Sequence, residues 1–162
     1  MGNSAVIYYT RMQTPIGKLL LAAGERGLRY IYFGDGLPAR HRNEVWIESA
    51  EQLQPFQEQL GAYFRGELRE FSCPLDLEGT TFQKKCWNAL LRIPYGKTRS
   101  YAEIAREVGS PHAFRAVGQA NHHNPIPIIV PCHRVITSAG TLGGYGGGLD
   151  VKQKLLRLEN AQ

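Results

Sequence analysis

The most constraining feature of this sequence is a stiff apolar stretch, residues 124–131, that runs directly into an adjacent cysteine and histidine. It has the sequence NPIPIIVP, and Cys132 follows it. Proline fixes φ, lacks a backbone donor and holds the preceding residue extended, so Pro125, Pro127 and Pro131 stiffen the segment. Its four aliphatic side chains are too apolar for a solvated loop. The stretch therefore predicts a buried, rigid platform that presents the Cys132 thiol.

The chemistry of Cys132 depends on a neighbouring base, because the thiolate is the nucleophile. His133 is the nearest base. Successive residues of a strand point to opposite faces, so contact between the two side chains requires a turn or a helix start at Cys132. A carboxylate that orients the imidazole would complete a relay, and the acids of the second half leave Glu159 or Asp150 for this position.

These residues also allow other interpretations. An apolar-flanked cysteine is often an inert core residue, and we expect Cys73 and Cys86 to be of this kind. A metal site formed by Cys132 and neighbouring histidines is conceivable, but the spacing matches no usual zinc pattern, so we predict no metal. A Cys–His hydrolase is disfavoured because the sequence has no evident oxyanion-hole element.

Composition is typical of a globular protein in a reducing compartment. Hydrophobic residues make up 43% of the 162 residues, and no apolar run reaches the roughly 20 residues of a membrane span. The first residues lack the basic and apolar regions of a secretory signal. Three cysteines without CxxC spacing argue against a disulfide scaffold, so we expect a cytoplasmic protein.

Charge is unevenly distributed along the chain. Residues 1–79 contain 8 Lys and Arg against 10 Asp and Glu, whereas residues 80–162 contain 11 against 4. A basic half of this kind suggests a polyanionic partner, nucleic acid first. A merely solvated basic surface would have the same composition.

The first half has the pattern of a small α/β domain. Strands are expected at 6–10, 18–22 and 28–33, and turn sequences separate them into an antiparallel meander. A polar loop is expected at 34–43.

A helix is expected at 50–65, where apolar residues recur at three-to-four spacing. The extended connector at 66–79 is the expected boundary, which gives domains of 1–77 and 78–162.

The second half is mainly helical. Thr80 or Thr81 is expected to cap a helix with an inner face of Phe82, Cys86, Trp87, Leu90 and Leu91. A final helix is expected at 151–160.

Between them lies a helix-turn-helix pattern. Ser100 caps a helix at 101–108, and a Gly-Ser-Pro stop separates it from a second helix at 112–120. The second helix has small residues around a single Arg115, which would let it approach a DNA groove closely. A packed helical hairpin without a DNA role is the alternative.

Several motifs together resemble those of the O6-alkylguanine-DNA alkyltransferases. They are Phe82-Gln83…Trp87, Ile93-Pro-Tyr-Gly96, Tyr101, Arg115-Ala-Val-Gly118, Asn124-Pro125, Pro131-Cys-His-Arg-Val135, Gly144-Tyr-Gly-Gly-Gly-Leu149 and Leu155-Leu…Leu158-Glu159. The resemblance covers residues 80–162. It implies a mainly helical C-terminal domain with a winged-helix-like helix-turn-helix, preceded by the family's small ribonuclease-H-like α/β domain.

The resemblance also implies roles for individual residues. Around the thiol, Cys132 would be the alkyl acceptor and His133 would be its base. Glu159 would hold His133, and Asn124 would brace the turn. Arg115 would enter the base stack where the damaged guanine leaves, and Tyr101 would rotate the target phosphate. Ala116 and Ser100 would also contact the DNA. The base pocket would be lined by Tyr145, Val135 and Gly146.

The activity that the resemblance implies is that of a methylated-DNA–[protein]-cysteine S-methyltransferase. Such a protein repairs double-stranded DNA by moving an alkyl group from O6-alkylguanine, and by extension from O4-alkylthymine, to its own cysteine, once per molecule. The target base would have to be flipped out of the duplex. The resemblance implies a monomeric protein that needs no cofactor and does not bind a membrane. It leaves open whether the protein binds DNA cooperatively.

The sequence departs from the family at Phe114, where a small residue usually precedes the arginine. Two other classes of protein share part of this pattern. Alkyltransferase-like proteins bind alkylated guanine but lack the acceptor cysteine, so Cys132 argues against that class. A DNA-binding regulator is the other, and its longer relatives have an additional metal-binding domain.

Overall fold

The computed structural model describes residues 5–34, 36–37 and 43–160 of the protein. The chain divides into two units, residues 1–77 and residues 78–162. Each unit has a core of its own and is described separately.

The first unit is built on a four-stranded sheet with the order β3-β2-β1-β4. Its strands are β1 (Ala5–Thr14), β2 (Gly17–Gly24), β3 (Gly27–Phe33) and β4 (Glu44–Glu48). The predicted antiparallel meander of the first three strands is confirmed. Strand β4 was not predicted, and it pairs in parallel with β1 at the edge of the sheet. Part of the loop predicted at 34–43 lies outside the described residues.

Helix α1 (Ala50–Phe64) packs against β1 and β2. Its N-cap is Ser49, whose side chain accepts a hydrogen bond from the backbone N–H of Gln52. Its buried side chains follow the predicted three-to-four spacing: Leu53, Phe56, Leu60 and Tyr63. The predicted helix and its core-facing stripe are therefore confirmed.

The connector after α1 lies beside β3. The backbone N–H of Leu28 donates to Pro74 (3.0 Å), and that of Asp76 donates to the Leu28 carbonyl (2.9 Å). Gly27 has φ +140°, and a Cβ there would lie 2.5 Å from the Pro74 carbonyl oxygen. This close approach requires glycine.

The second unit is mainly helical. Its helices are α2 (Thr81–Leu91), α3 (Tyr101–Glu107), α4 (Phe114–His122) and α5 (Leu149–Leu158). Two short strands, β5 (Arg99–Ser100) and β6 (Val135–Ile136), pair in parallel. A 3₁₀ helix at Cys132–Arg134 precedes β6.

Helix α2 begins at Thr80, which forms a capping box with Gln83. Cys86, Trp87 and Leu90 are buried as predicted, but Leu91 is 41% exposed. The prediction for Leu91 was wrong. Leu91 was assigned to the inner face because it is apolar, but it is the last residue of α2 and lies on the exposed side of the helix.

Helices α3 and α4 pack together as the predicted helix-turn-helix. The predicted Ser100 cap is confirmed at the start of α3, where Ser100 forms a capping box with Glu103. Helix α4 begins two residues later than predicted, because a turn in which the Ala113 N–H donates to Ser110 (2.8 Å) precedes it. The indole N–H of Trp87 donates to the Ala120 carbonyl (2.9 Å) and ties α2 to α4.

None of the helices in the described ranges combines the length and the apolarity that a bilayer crossing requires.

Candidate active site

The proline-rich stretch before the cysteine forms a closed turn. Ile126, Ile128 and Val130 are fully buried, which confirms the predicted burial. The segment is not extended throughout, because the Val130 N–H donates back to the Ile126 carbonyl (2.9 Å). Ile128 has φ +77°, a left-handed conformation that is strained for a β-branched residue.

Asn124 closes this turn through its side-chain amide. Its Nδ2 donates to the Val130 carbonyl (2.8 Å), and its Oδ1 accepts from the Ile126 N–H (3.0 Å). The same side chain hydrogen-bonds Cys132. One asparagine thus links both ends of the strained segment to the thiol.

The backbone turns sharply at the cysteine. Pro131 has φ −83° and ψ 65°, and the Cys132 N–H donates to the Val130 carbonyl (2.8 Å), which is an inverse γ-turn. The 3₁₀ helix begins at Cys132. The predicted change from extended chain to a turn at this residue is therefore confirmed.

His133, Arg134 and Glu159 form a buried charged group. Glu159 lies at the end of α5, and its Oε2 is 2.7 Å from His133 Nε2. Arg134 donates to both carboxylate oxygens, from Nε (2.8 Å) and from Nη2 (3.0 Å). Its Nη1 donates to the Ile93 carbonyl (2.7 Å). Of the two acids left open by the sequence, Glu159 meets the imidazole and Asp150 is exposed.

This network defines the protonation state of the histidine. The carboxylate accepts a hydrogen bond from Nε2–H, so the neutral imidazole keeps its lone pair on Nδ1. Burial lowers the pKa of His133, and the interactions with Glu159 oppose that shift. In the described part of the chain, Nδ1 is buried and has no hydrogen-bond partner. It is available to accept a proton.

The cysteine is a thiol in its resting state. Burial raises the pKa of Cys132 to about 11, while the Asn124 hydrogen bond and the charge of Lys152 act in the opposite direction. A base is therefore needed to form the thiolate near neutral pH. The other two cysteines also have a raised pKa because of burial, Cys73 half-buried and Cys86 buried.

Cys132 lines a cavity of about 400 Å³ within the second unit. Helix α4 and the Gly-rich loop contribute most of the wall, which comprises Tyr101, Gly118, Gln119, Asn121, His122, Cys132, Gly144, Tyr145 and Gly146. Gly143 has φ +71°, and a Cβ there would lie 2.9 Å from the Tyr101 hydroxyl. The loop can approach Tyr101 so closely only because residue 143 is glycine.

The predicted DNA-contacting residues lie at the starts of α3 and α4, and of these only Tyr101 lines the cavity. Tyr101 is the first residue of α3 and Ser100 is its N-cap. Arg115 and Ala116 are exposed in the first turn of α4. Phe114 is 50% exposed and faces a second groove with Tyr101, so it does not belong to the core.

Not every predicted pocket residue lies at the cavity. Tyr145 and Gly146 line it, whereas Val135 is fully buried in β6 and is not part of the wall. Asn121, Arg134 and Lys152 were missed as site residues. Arg134 could have been found from its place in the Pro-Cys-His-Arg motif; for Lys152 and Asn121 the sequence has no comparable signal.

In the ranges that the structure describes, no three His, Cys, Asp or Glu side chains lie together in a way that could hold a metal ion.

The fold and this site match one class of known proteins. The family model described as "6-O-methylguanine DNA methyltransferase, ribonuclease-like domain" matches residues 7–77, and "6-O-methylguanine DNA methyltransferase, DNA binding domain" matches residues 81–161. The chain therefore belongs to the 6-O-methylguanine DNA methyltransferase family. The predicted family and the predicted two-domain fold class are confirmed.

Individual relatives are similar over nearly the whole chain. A methylated-DNA–protein-cysteine methyltransferase of Methanosarcina acetivorans is 52% identical over 155 residues, 96% of this chain and 99% of the relative. One from Mycobacterium tuberculosis is 49% identical over 157 residues, 97% of this chain and 94% of the relative. The crystal structure of M. tuberculosis OGT in complex with DNA has a TM-score of 0.87 at 50% identity, with 94% of this chain and 92% of that chain covered.

Proposed function

We propose that this protein repairs alkylated DNA by direct, single-turnover transfer of the alkyl group from O6-alkylguanine to Cys132. The observation that supports this most strongly is the position of the Cys132 thiol on the wall of a 400 Å³ cavity beside the buried His133–Glu159 pair. Relatives with about half of their residues identical have names that state the same reaction class, methylated-DNA–protein-cysteine methyltransferase.

The proposed reaction is a proton transfer followed by a displacement. His133 Nδ1 accepts the thiol proton through a water, and Glu159 and Arg134 hold the imidazole in place. The thiolate sulfur attacks the alkyl carbon, a C–S bond forms and the C–O bond to guanine breaks. A ring nitrogen of the departing guanine takes up a proton, which balances the one lost from Cys132. The thioether product is stable, so each molecule acts once.

The substrate is double-stranded DNA, and the damaged nucleotide reaches the thiol by flipping out of the duplex. Arg115 is exposed on a helix of small residues and is suited to fill the vacated space in the base stack. The excess of basic residues in 80–162 favours binding to the phosphate backbone. O4-alkylthymine is a secondary substrate, and the protein acts as a monomer.

The test is a repair assay with a duplex that contains one O6-methylguanine, in excess over the protein. The amount of guanine restored should equal the amount of active protein and should not increase afterwards. Cys132→Ser, a nearly isosteric change, should restore none, and Cys86→Ser should behave as wild type. Continued turnover, or full repair by Cys132→Ser, would contradict the proposal.

A further inference from the structure

Lys152 is a fully buried lysine that the reaction described above does not use. It lies in α5, two turns before Glu159, so one face of one helix supplies both charged groups to the site. A buried ammonium is costly unless it is hydrogen-bonded, and lysine is rarely buried without such a reason.

All three hydrogen bonds of the ammonium go to backbone carbonyls. Nζ donates to Val135 in β6 (2.6 Å), to Leu142 and to Gly144 (3.2 Å). Val135 lies three residues after Cys132, and Gly144 lies in the loop that lines the cavity. The lysine therefore fastens the cavity loop to the segment that follows the nucleophile.

The positive charge of Lys152 also acts on the Cys132 thiol. It lowers the pKa of Cys132, and Cys132 in turn raises that of Lys152. The carbonyl groups neutralise none of the net charge, because they contribute dipoles only. A thiolate formed in the cavity would therefore be stabilised by a nearby cation.

We propose that Lys152 is a positioning residue of this site, which fastens the cavity loop to β6 and whose positive charge favours the thiolate of Cys132. The inference rests on the proposed role of Cys132 as nucleophile. Its test uses a small alkylating reagent, so the result does not depend on DNA repair.

A pH profile distinguishes the charge from a purely structural role. Burial lowers the pKa of Lys152 to about 8, so the ammonium predominates at pH 7 and is lost above pH 8. Burial keeps three other ionisable groups near the thiol from changing charge in this window. The pKa of Tyr101 and of Tyr145 is raised by burial, and the pKa of His133 is lowered. Glu159 forms a buried salt bridge with Arg134. His122 also lines the cavity, so the same profile is recorded for H122Q, which should keep the bend.

The experiment measures the rate at which iodoacetamide alkylates Cys132, followed by mass spectrometry of the Cys132 peptide. The wild-type rate should rise tenfold per pH unit and then bend towards a plateau near pH 8, where Lys152 loses its proton. K152M should react about tenfold more slowly at pH 7 and show no bend. K154M, which removes an exposed charge from the same helix, should follow the wild type.

K152Q separates charge from hydrogen bonding, because its amide can still donate to carbonyls but is neutral. It should be as slow as K152M and also lack the bend, and if K152M does not fold, K152Q alone decides. A folded K152Q with the wild-type profile would overturn the inference, as would an equal loss of rate in K154M. A wild-type protein that shows the bend but repairs no DNA would contradict the proposed function and leave this inference standing.

Discussion

At the scale of single residues, the site is the buried group of Cys132, His133, Arg134 and Glu159, which the sequence only partly reveals. Cys132, His133 and the platform before them follow from proline rigidity and residue order. The choice between Glu159 and Asp150 does not follow from the sequence, because both acids lie in or beside the last helix. Only the rotation of α5 against the 3₁₀ helix decides which of them contacts the imidazole.

Glu159→Gln should slow alkyl transfer by about 100-fold, because the neutral amide no longer holds His133 as a base. It should also destabilise the protein by about 3 kcal/mol, since Arg134 loses its buried ionic partner. Single-turnover rates and thermal unfolding measure the two effects. Asp150→Asn is the control and should change the rate by less than about twofold. Comparable loss in both variants would contradict the assignment of Glu159.

Lys152 shows why part of the site was not predicted. A lysine in an amphipathic helix is ordinarily placed at the surface, and nothing in the spacing of α5 signals three carbonyl acceptors. The acceptors Val135, Leu142 and Gly144 lie 17, 10 and 8 residues before Lys152, and only the folded chain brings them to its ammonium.

At the scale of elements, capping and periodicity predicted most of the structure. The Thr80 and Ser100 caps and the apolar stripe of α1 are local signals and are confirmed. Strand β4 was missed because it is a short edge strand in which Val45 and Ile47 are 46% and 43% exposed. Its pairing with β1 is a non-local contact that a sequence pattern does not contain.

Helix α4 makes a prediction about the balance between stability and activity. An added Cβ at Gly118 meets no atom within 4 Å, and Ala is favoured over Gly in a helix by about 1 kcal/mol. Gly118→Ala should therefore raise the melting temperature. Gly118 also lines the cavity, so the variant should slow transfer from O6-benzylguanine more than from O6-methylguanine.

Gly61→Ala is the matched control, because Gly61 is a helical glycine of the first unit and its added Cβ would meet the flexible end of Arg65 at 3.1 Å. It should leave both transfer rates unchanged. Gly118→Ala with wild-type rates for both substrates would show that this wall of the cavity does not contact the base or its alkyl group.

At the scale of the whole molecule, the two halves of the chain differ in charge. The second half contains 11 Lys and Arg against 4 Asp and Glu, whereas the first is slightly acidic. Sequence composition was sufficient to indicate a polyanionic partner. It could not indicate which surface is used, because that depends on where the folded second unit exposes these side chains.

Affinity for undamaged duplex DNA should fall steeply as salt rises, with a slope of about −4 in a plot of log K against log salt, as expected if roughly four phosphates are neutralised. Fluorescence anisotropy with a labelled duplex measures the slope. Thermal unfolding over the same salt range is the control for loss of structure. An affinity that does not depend on salt would contradict binding through the basic half.

The central claim is that Cys132 itself receives the alkyl group. The most direct measurement is the intact mass of the protein after incubation with a duplex containing O6-methylguanine, for wild type and Cys132→Ala, with the modified peptide then identified. The account predicts one added methyl per wild-type molecule, located on Cys132, and none in the variant. A wild-type protein that gains no mass, or a methyl found on another residue, would contradict it.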